Sequence, residues 1–145
     1  MTFEVDHTSD GCIPPWEIPL HERVARLLRR EAKVAYLYED PDASTFRYRA
    51  FNMVDALERE PQMLSATWFF SAETDALSRV MSALDALVVC RYRYSYALDG
   101  VIGLARDHGV PVIYDLDDLV FDVDAVPLVM HTLDHRSDDV AVHGR

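Results

Sequence analysis

The sequence of 145 residues is poor in the features that mark cofactor and nucleotide sites. Its five glycines form neither the Gly-x-Gly-x-x-Gly loop nor the Gly-Lys-Ser/Thr loop that cradles phosphates, which argues against a self-contained dinucleotide or nucleoside triphosphate site. The two cysteines, Cys12 and Cys90, offer no disulfide framework and no metal-ligand spacing. We therefore expect no cofactor and no metal, and we interpret Cys90 as a small core residue.

Basic charge and long apolar runs are also scarce. The formal net charge of −11 argues against a nucleic-acid binder, because neutralising phosphates needs a surplus of Lys and Arg. No stretch approaches the roughly 20 apolar residues that span a bilayer, and the start shows no signal-peptide pattern, so we expect a cytoplasmic protein. A helix predicted over 17–32 has an apolar stripe, which either packs on the domain or makes peripheral membrane contact. The stripe comprises Leu20, Val24, Leu27 and Leu28.

Half of the residues are hydrophobic, and short apolar runs alternate with longer helical periods along the chain. We predict an N-terminal extension with the amphipathic helix over 1–32, a Rossmann-like domain over 33–124 and a partly disordered C-terminal segment over 125–145. The predicted strands are 33–38, 64–70, 86–90 and 110–114, and the helices between them are 46–59, 73–84 and 96–108. The last helix starts after Ser95 and stops at Gly109.

Strands alternating with helices of this length favour right-handed βαβ units. The predicted fold class is therefore α/β, with a Rossmann-like three-layer αβα arrangement and a parallel sheet. In the common doubly wound order the first four strands lie 3-2-1-4, which places the loops after strands one and four side by side. Gly100 and Gly103, three residues apart in the last predicted helix, are expected to let that helix approach the sheet closely.

An acidic cluster follows the fourth predicted strand, and two arginines follow the first. Asp115, Asp117 and Asp118 repel one another unless a cation offsets them, so we expect an ion pair from Arg47 or Arg49. Ligands of open α/β sheets bind at the carboxyl ends of the strands. The three aspartates are accordingly candidate catalytic residues, although a structural role, capping the next segment and orienting arginines, is an equal alternative.

A second Arg-x-Arg sequence, Arg91 and Arg93, follows the third strand. In the order 3-2-1-4 three strand steps, roughly 14 Å at about 4.8 Å per step, separate these arginines from the aspartates. They either cap loops or form an anion or sugar-hydroxyl site whose aromatic walls are Tyr92, Tyr94 and Tyr96.

The segment Tyr114-Asp115-Leu116-Asp117-Asp118-Leu119, together with Arg47-Tyr48-Arg49 and Val88-Val89-Cys90-Arg91, resembles the N-terminal half of GT-B-fold glycosyltransferases related to glycosyltransferase family 4. The resemblance covers roughly 33–121. It implies an acceptor-side domain of an enzyme that transfers a sugar from a nucleotide-sugar donor to a sugar or a lipid-linked acceptor. We take Arg47, Arg49, Arg91 and Arg93 as candidate substrate-binding residues.

Relative to a full GT-B enzyme the sequence is expected to be truncated, since it stops soon after the fourth strand and lacks the donor domain. Alone it is therefore expected to be inactive. The fourth strand becomes an edge with an apolar sequence, so we expect something to cover it. The alternatives are the segment 123–133, the N-terminal helix, or a second copy that forms a homodimer through this edge.

Two other functions stay open. The run from Ile113 to Val120 also resembles the first motif of haloacid-dehalogenase-type phosphatases, in which Asp115 acts as nucleophile and Asp117 as general acid with magnesium. The later motifs of that family are missing from the short remaining sequence. A non-catalytic α/β binding or interaction module explains the absent donor site without truncation.

Overall fold

The computed structural model of the protein describes residues 16–41, 45–59 and 64–116. The predictions for the extension before Trp16 and for the segment 125–145 lie outside these residues. The elements in chain order are α1 (Leu20–Leu27), β1 (Ala32–Tyr38), a π-helical turn (Arg47–Phe51) continued by α2 (Asn52–Arg59), β2 (Leu64–Phe70), a 3₁₀ turn (Ser71–Glu73), α3 (Thr74–Val80), a 3₁₀ turn (Met81–Ala83), β3 (Ala86–Cys90), α4 (Tyr96–Asp107) and β4 (Val112–Asp115).

The four strands form one parallel sheet in the order β2-β1-β3-β4. The α/β class and the Rossmann-like three-layer arrangement are confirmed, but the predicted order 3-2-1-4 is wrong in detail. β3 pairs with the side of β1 opposite β2, and β4 pairs with the other side of β3. The predicted order made β3 an edge strand and placed β2 inside the sheet, whereas in the structure β3 lies between β1 and β4 and β2 is the edge. The main-chain groups on the outer side of β2 bind side chains of neighbouring elements instead of another strand.

Helices cover the two faces of the sheet unequally. On one face α1, α3 and α4 pack against a core that includes Leu37 and Val89. On the other face the π-helical turn and α2 pack against an aromatic core around Phe46 and Trp68. Val54 of α2 is buried in this second core. The second face is therefore covered mainly over β1 and β2.

The start and end of α4 follow their sequence signals. The Ser95 hydroxyl accepts the Leu98 N–H at 3.1 Å, and Gly109 ends the helix with a φ of +70°, which a residue without a Cβ adopts at no steric cost. The expectation for Gly100 and Gly103 is wrong. A Cβ built at either position meets nothing within 4 Å, so neither glycine is required by close packing.

Helix α1 packs its apolar stripe on the domain, as one of the two predicted alternatives stated. Leu27 is fully buried, and Leu20 and Val24 pack against the same core, whereas Leu28 is 48% exposed and does not belong to the buried stripe. None of the helices in the described part of the chain is long and apolar enough to cross a membrane.

The outer edge of β2 is capped by charged side chains. Four of them bind main-chain groups of this strand. The pairs are Arg30 with the Leu64 carbonyl, Glu58 with the Ala66 N–H, Arg23 with the Trp68 carbonyl and Glu73 with the Phe70 N–H. These side chains belong to neighbouring elements, and because they occupy the main-chain groups of β2, a further strand cannot pair with those groups. We call this side of the sheet the capped edge.

Candidate functional site

Two rows of side chains cross the sheet on the face that carries α2. The strand register aligns Tyr36 of β1 with Val88 of β3 and Ile113 of β4. Two residues further along these strands, the register aligns Cys90 of β3 with Asp115 of β4. The first row forms an apolar floor, and the second row brings a carboxylate to the carboxyl end of β4.

The π-helical turn forms the wall beside this floor. The Asn52 N–H donates to the Arg47 carbonyl five residues back, which widens the helix by one residue. Phe46, fully buried among aromatic rings, fixes the start of the turn in the core. Tyr48 is 66% exposed, and Arg49, which is half-buried, reaches β4.

The floor and the wall form a trough that is open to solvent and has a volume of about 550 Å³. The residues that line it are Tyr36, Tyr48, Arg49, Met53, Val88, Ile113, Tyr114 and Asp115. We call this set the trough. Its lining is aromatic and aliphatic except at one end, where Arg49 and Asp115 lie.

The predicted ion pair between the arginines and the acidic cluster is present at that end. Arg49 Nη1 lies 2.9 Å from Asp115 Oδ1, and the two side chains are 36% and 30% exposed. Arg47 is exposed to solvent. Asp117 and Asp118 lie outside the described residues, so the structure places only Asp115 of the three candidates.

Two buried groups lie under the ion pair. The Cys90 Sγ donates to the Arg49 carbonyl at 4.0 Å, and Cys90 is fully buried, as expected for a core residue. Burial, together with the charge of Asp115 and against the opposing effect of Arg49, raises the pKa of this thiol to about 12. Burial, followed by the nearby Cys90 and Asp115, also raises the pKa of Tyr36. Both groups therefore stay protonated and neutral at physiological pH.

Arg91 and Arg93 follow the carboxyl end of β3. Arg91 Nη1 donates to Thr45 Oγ1 at 3.1 Å, and Arg93 Nε donates to both Glu39 oxygens at 3.0 and 3.2 Å. Neither arginine lines the trough. The hydrogen bond to Glu39 and its charge raise the pKa of Arg93.

The expected separation between the second Arg-x-Arg sequence and the acidic cluster is wrong. β3 and β4 are neighbours, and the main-chain N–H of Arg91 donates to the Asp115 carbonyl at 3.0 Å. Arg91 adopts a φ of +44°, a left-handed conformation that a side chain with a Cβ rarely takes. The proximity follows from the observed strand order.

The tyrosines after β3 do not form walls of the trough. Tyr94 and Tyr96 are 74% and 89% exposed, and their rings contact each other edge to face at 6.4 Å. The aromatic lining comes instead from Tyr36, Tyr48 and Tyr114, which the sequence reasoning did not select as walls. Tyr48 stands between Arg47 and Arg49, and that position was the available signal.

Within residues 16–41, 45–59 and 64–116 no group of three His, Cys, Asp or Glu side chains is arranged to hold a metal ion. Comparisons of the chain with protein-family models, curated proteins and solved structures found no match in any of the three.

Proposed function

We propose that the chain is the N-terminal, acceptor-side domain of a GT-B-fold glycosyltransferase related to glycosyltransferase family 4. The acceptor, a sugar or a lipid-linked sugar, binds in the trough, and a separate domain holds the nucleotide-sugar donor. The observation that carries this proposal is the Arg49–Asp115 ion pair at the end of an open, aromatic-lined trough.

The chemistry of the trough suits an acceptor with one apolar side and several hydroxyl groups. Its volume of about 550 Å³ lies in the range of roughly 300–1,000 Å³ that small-molecule sites occupy. The apolar side of such a ligand packs on Tyr36, Val88 and Ile113. Its hydroxyl groups reach the carboxylate of Asp115 and the guanidinium of Arg49, which accept and donate hydrogen bonds respectively.

Asp115 and Arg49 have different roles in this proposal. The Asp115 carboxylate accepts the proton of the acceptor hydroxyl as that oxygen bonds to the anomeric carbon of the donor sugar, while the bond from this carbon to the phosphate oxygen breaks and the nucleoside diphosphate leaves. Arg49 holds that carboxylate in place, because their ion pair uses one carboxylate oxygen and leaves further lone pairs for the hydroxyl. Arg47, Arg91 and Arg93 follow the carboxyl ends of β1 and β3, and in this proposal they bind substrate outside the trough.

The test is a titration of the ¹⁵N-labelled chain with methyl and octyl glycosides of common hexoses, followed by backbone amide chemical shifts. We expect shifts at β4 and the π-helical turn, and loss of binding in Asp115→Asn. The matched control is Asp75→Asn on α3, an exposed carboxylate on the other face of the sheet. Chemical shift changes outside β4 and the π-helical turn, or equal glycoside binding by Asp115→Asn and Asp75→Asn, contradict the placement of the acceptor in the trough.

A second measurement separates the glycosyltransferase from the non-catalytic binding module. A protein that contains these residues together with a nucleotide-sugar domain is incubated with UDP- and GDP-sugars and a glycoside that binds the trough. Mass spectrometry of the glycoside then reports transfer. A mass increase by one sugar, lost in Asp115→Asn and kept in Asp75→Asn, supports the transferase, and binding without transfer supports the module.

A further inference from the structure

The connections that follow β1 and β3 lead in opposite directions. β1 is followed by the π-helical turn and α2, which cover one face of the sheet and lead to β2 on its outer side. β3 is followed by α4, which covers the opposite face and leads to β4. The carboxyl ends of these two paired strands therefore form a topological switch point, the place where open α/β sheets bind ligands. Neither Glu39 nor Arg93, which follow these ends, lines the trough.

Hydrogen-bond donors and acceptors lie close together at the switch point. Arg93 Nε donates to both Glu39 oxygens, and the Arg93 side chain is 85% exposed. The Ser71 hydroxyl donates to the Glu39 carbonyl at 2.6 Å and lies 3.4 Å from Asp40 Oδ1. Within the described ranges the two Nη atoms of Arg93 make no hydrogen bond, because Glu39 contacts Nε alone. A ligand here meets outward donors from Arg93 and acceptors from the two carboxylates.

Two tyrosine rings add an apolar surface beside these polar groups. Tyr94 directly follows Arg93, and both Tyr94 and Tyr96 are largely exposed, with their rings in edge-to-face contact. Aromatic rings in water lack the favourable free energy that burial of apolar area gives. A ligand with an apolar side that covers the rings gains this free energy on binding.

The backbone of Arg91 positions these groups. Its left-handed φ of +44° is strained for a residue with a Cβ, and such strain persists where the surroundings fix it, often at ligand sites. The Arg91 N–H donates to the Asp115 carbonyl, and its guanidinium donates to Thr45. The chain is thus fixed two residues before Arg93, where the arginine side chain meets Glu39.

We propose that the switch point binds a neutral saccharide at a site separate from the trough. The site consists of Glu39, Asp40, Ser71, Arg93, Tyr94 and Tyr96, and we call it the switch-point site. The inference rests on the proposed function in one respect, because it specifies the substrate that Arg93 binds outside the trough.

The charges at the switch point favour a neutral ligand over an anion. The guanidinium groups of Arg91 and Arg93 are matched by the carboxylates of Glu39 and Asp40, so an anion gains no net attraction from these four residues. Saccharide hydroxyl groups both donate and accept hydrogen bonds, which suits a mixed set of carboxylates and guanidinium nitrogens. The C–H side of the sugar ring packs on the exposed tyrosine rings.

Titration of the ¹⁵N-labelled chain with maltotriose, cellotriose and chitotriose tests the site. We expect saturable amide shifts at 39–40 and 93–96 with at least one of the three trisaccharides. Arg93→Ala and Tyr94→Ala are each expected to weaken this binding about tenfold or more, because each removes direct contacts to the ligand. The matched control is Arg106→Ala, an exposed arginine in the last turn of α4, which is expected to bind like the wild type.

Asp115→Asn separates the switch-point site from the trough. Because the Asp115 side chain lies in the trough, this variant is expected to keep the trisaccharide shifts at 93–96. A simultaneous loss of both indicates a single site and overturns the inference, whereas glycoside binding that is unchanged in Asp115→Asn contradicts only the proposed function of the trough. The inference is also overturned by an absence of shifts with all three trisaccharides, by unchanged affinity in Arg93→Ala and Tyr94→Ala, or by shifts at 93–96 with sodium phosphate in place of the trisaccharides.

Discussion

The buried ion pair between Arg23 and Glu73 joins α1 to the end of β2, and its removal is expected to destabilise the fold strongly. Arg23 Nη2 lies 2.5 Å from Glu73 Oε1, with side-chain exposures of 4% and 18%. Arg23 also donates to the Ile18 and Trp68 carbonyls, and its guanidinium lies 5.3 Å from the centre of the Trp68 ring. One side chain thus satisfies three acceptors.

The magnitude follows from what Arg23→Met leaves behind. Methionine keeps much of the apolar stem, so the loss comes from the polar groups. Removing one partner of a buried ion pair costs about 3–5 kcal/mol, because the remaining charge stays buried and uncompensated. We expect a decrease of this size in the free energy of unfolding. In Arg23→Met/Glu73→Gln the unpaired charge is gone, so the double variant is expected to be more stable than Arg23→Met alone.

Urea unfolding followed by circular dichroism measures these differences, with the slope m monitored for changes in the unfolded state. The control is Arg26→Met, because the Arg26–Glu22 pair has side chains 39% and 46% exposed. An exposed helical pair of this spacing contributes about 0.3–0.5 kcal/mol. A loss in Arg23→Met no larger than in Arg26→Met, or no recovery in the double variant, refutes the reasoning.

Three further predictions concern α4 and the buried thiol. Gly100→Ala and Gly103→Ala are each expected to raise the free energy of unfolding by about 0.5–1 kcal/mol in urea titrations, since the space at each Cβ is open; a decrease would show a hidden packing role. Ser95→Ala removes the cap of α4 and is expected to cost about 1 kcal/mol, whereas Ser95→Asp restores most of it; equal stability of both variants contradicts the cap. The pKa of Cys90 is raised from 9.0 to about 12, so the folded state binds the thiol proton more tightly than the unfolded state. The resulting contribution to the free energy of unfolding is complete below about pH 9 and is lost as the pH rises towards 12. In Cys90→Ala the free energy of unfolding is therefore expected to fall less steeply over this pH range than in the wild type. The same dependence on pH in both proteins contradicts the raised pKa.

Local sequence signals predicted the elements well because each depends on a few neighbouring residues. Ser95 and Gly109 fix the limits of α4, and the apolar runs 64–70 and 86–90 coincide with β2 and β3. The order of the strands depends on which strands pair with one another. That property involves packing between segments distant in sequence, and the pattern of βαβ units does not determine it.

The candidate site was predictable only in its charged part. Crowded carboxylates require a counter-ion, which pointed to the Arg49–Asp115 pair. The apolar lining of the trough was not predictable, because in the sequence Tyr36, Met53 and Ile113 are indistinguishable from core residues. They line a trough because the helices that cover that face lie mainly over β1 and β2.

The π-helical turn links the integrity of the core to the placement of the trough's charged end. Successive residues of a helix are rotated by about 100°, so the one additional residue in Arg47–Phe51 changes the direction of every side chain on one side of it relative to the other. Phe46 inserts among the aromatic rings, and Arg49 reaches β4. After deletion of one residue from Arg47–Phe51, the helix cannot both keep Phe46 in the aromatic core and bring Arg49 to Asp115. Deletions or insertions in this helix are therefore expected to destabilise the site far more than those in a surface loop.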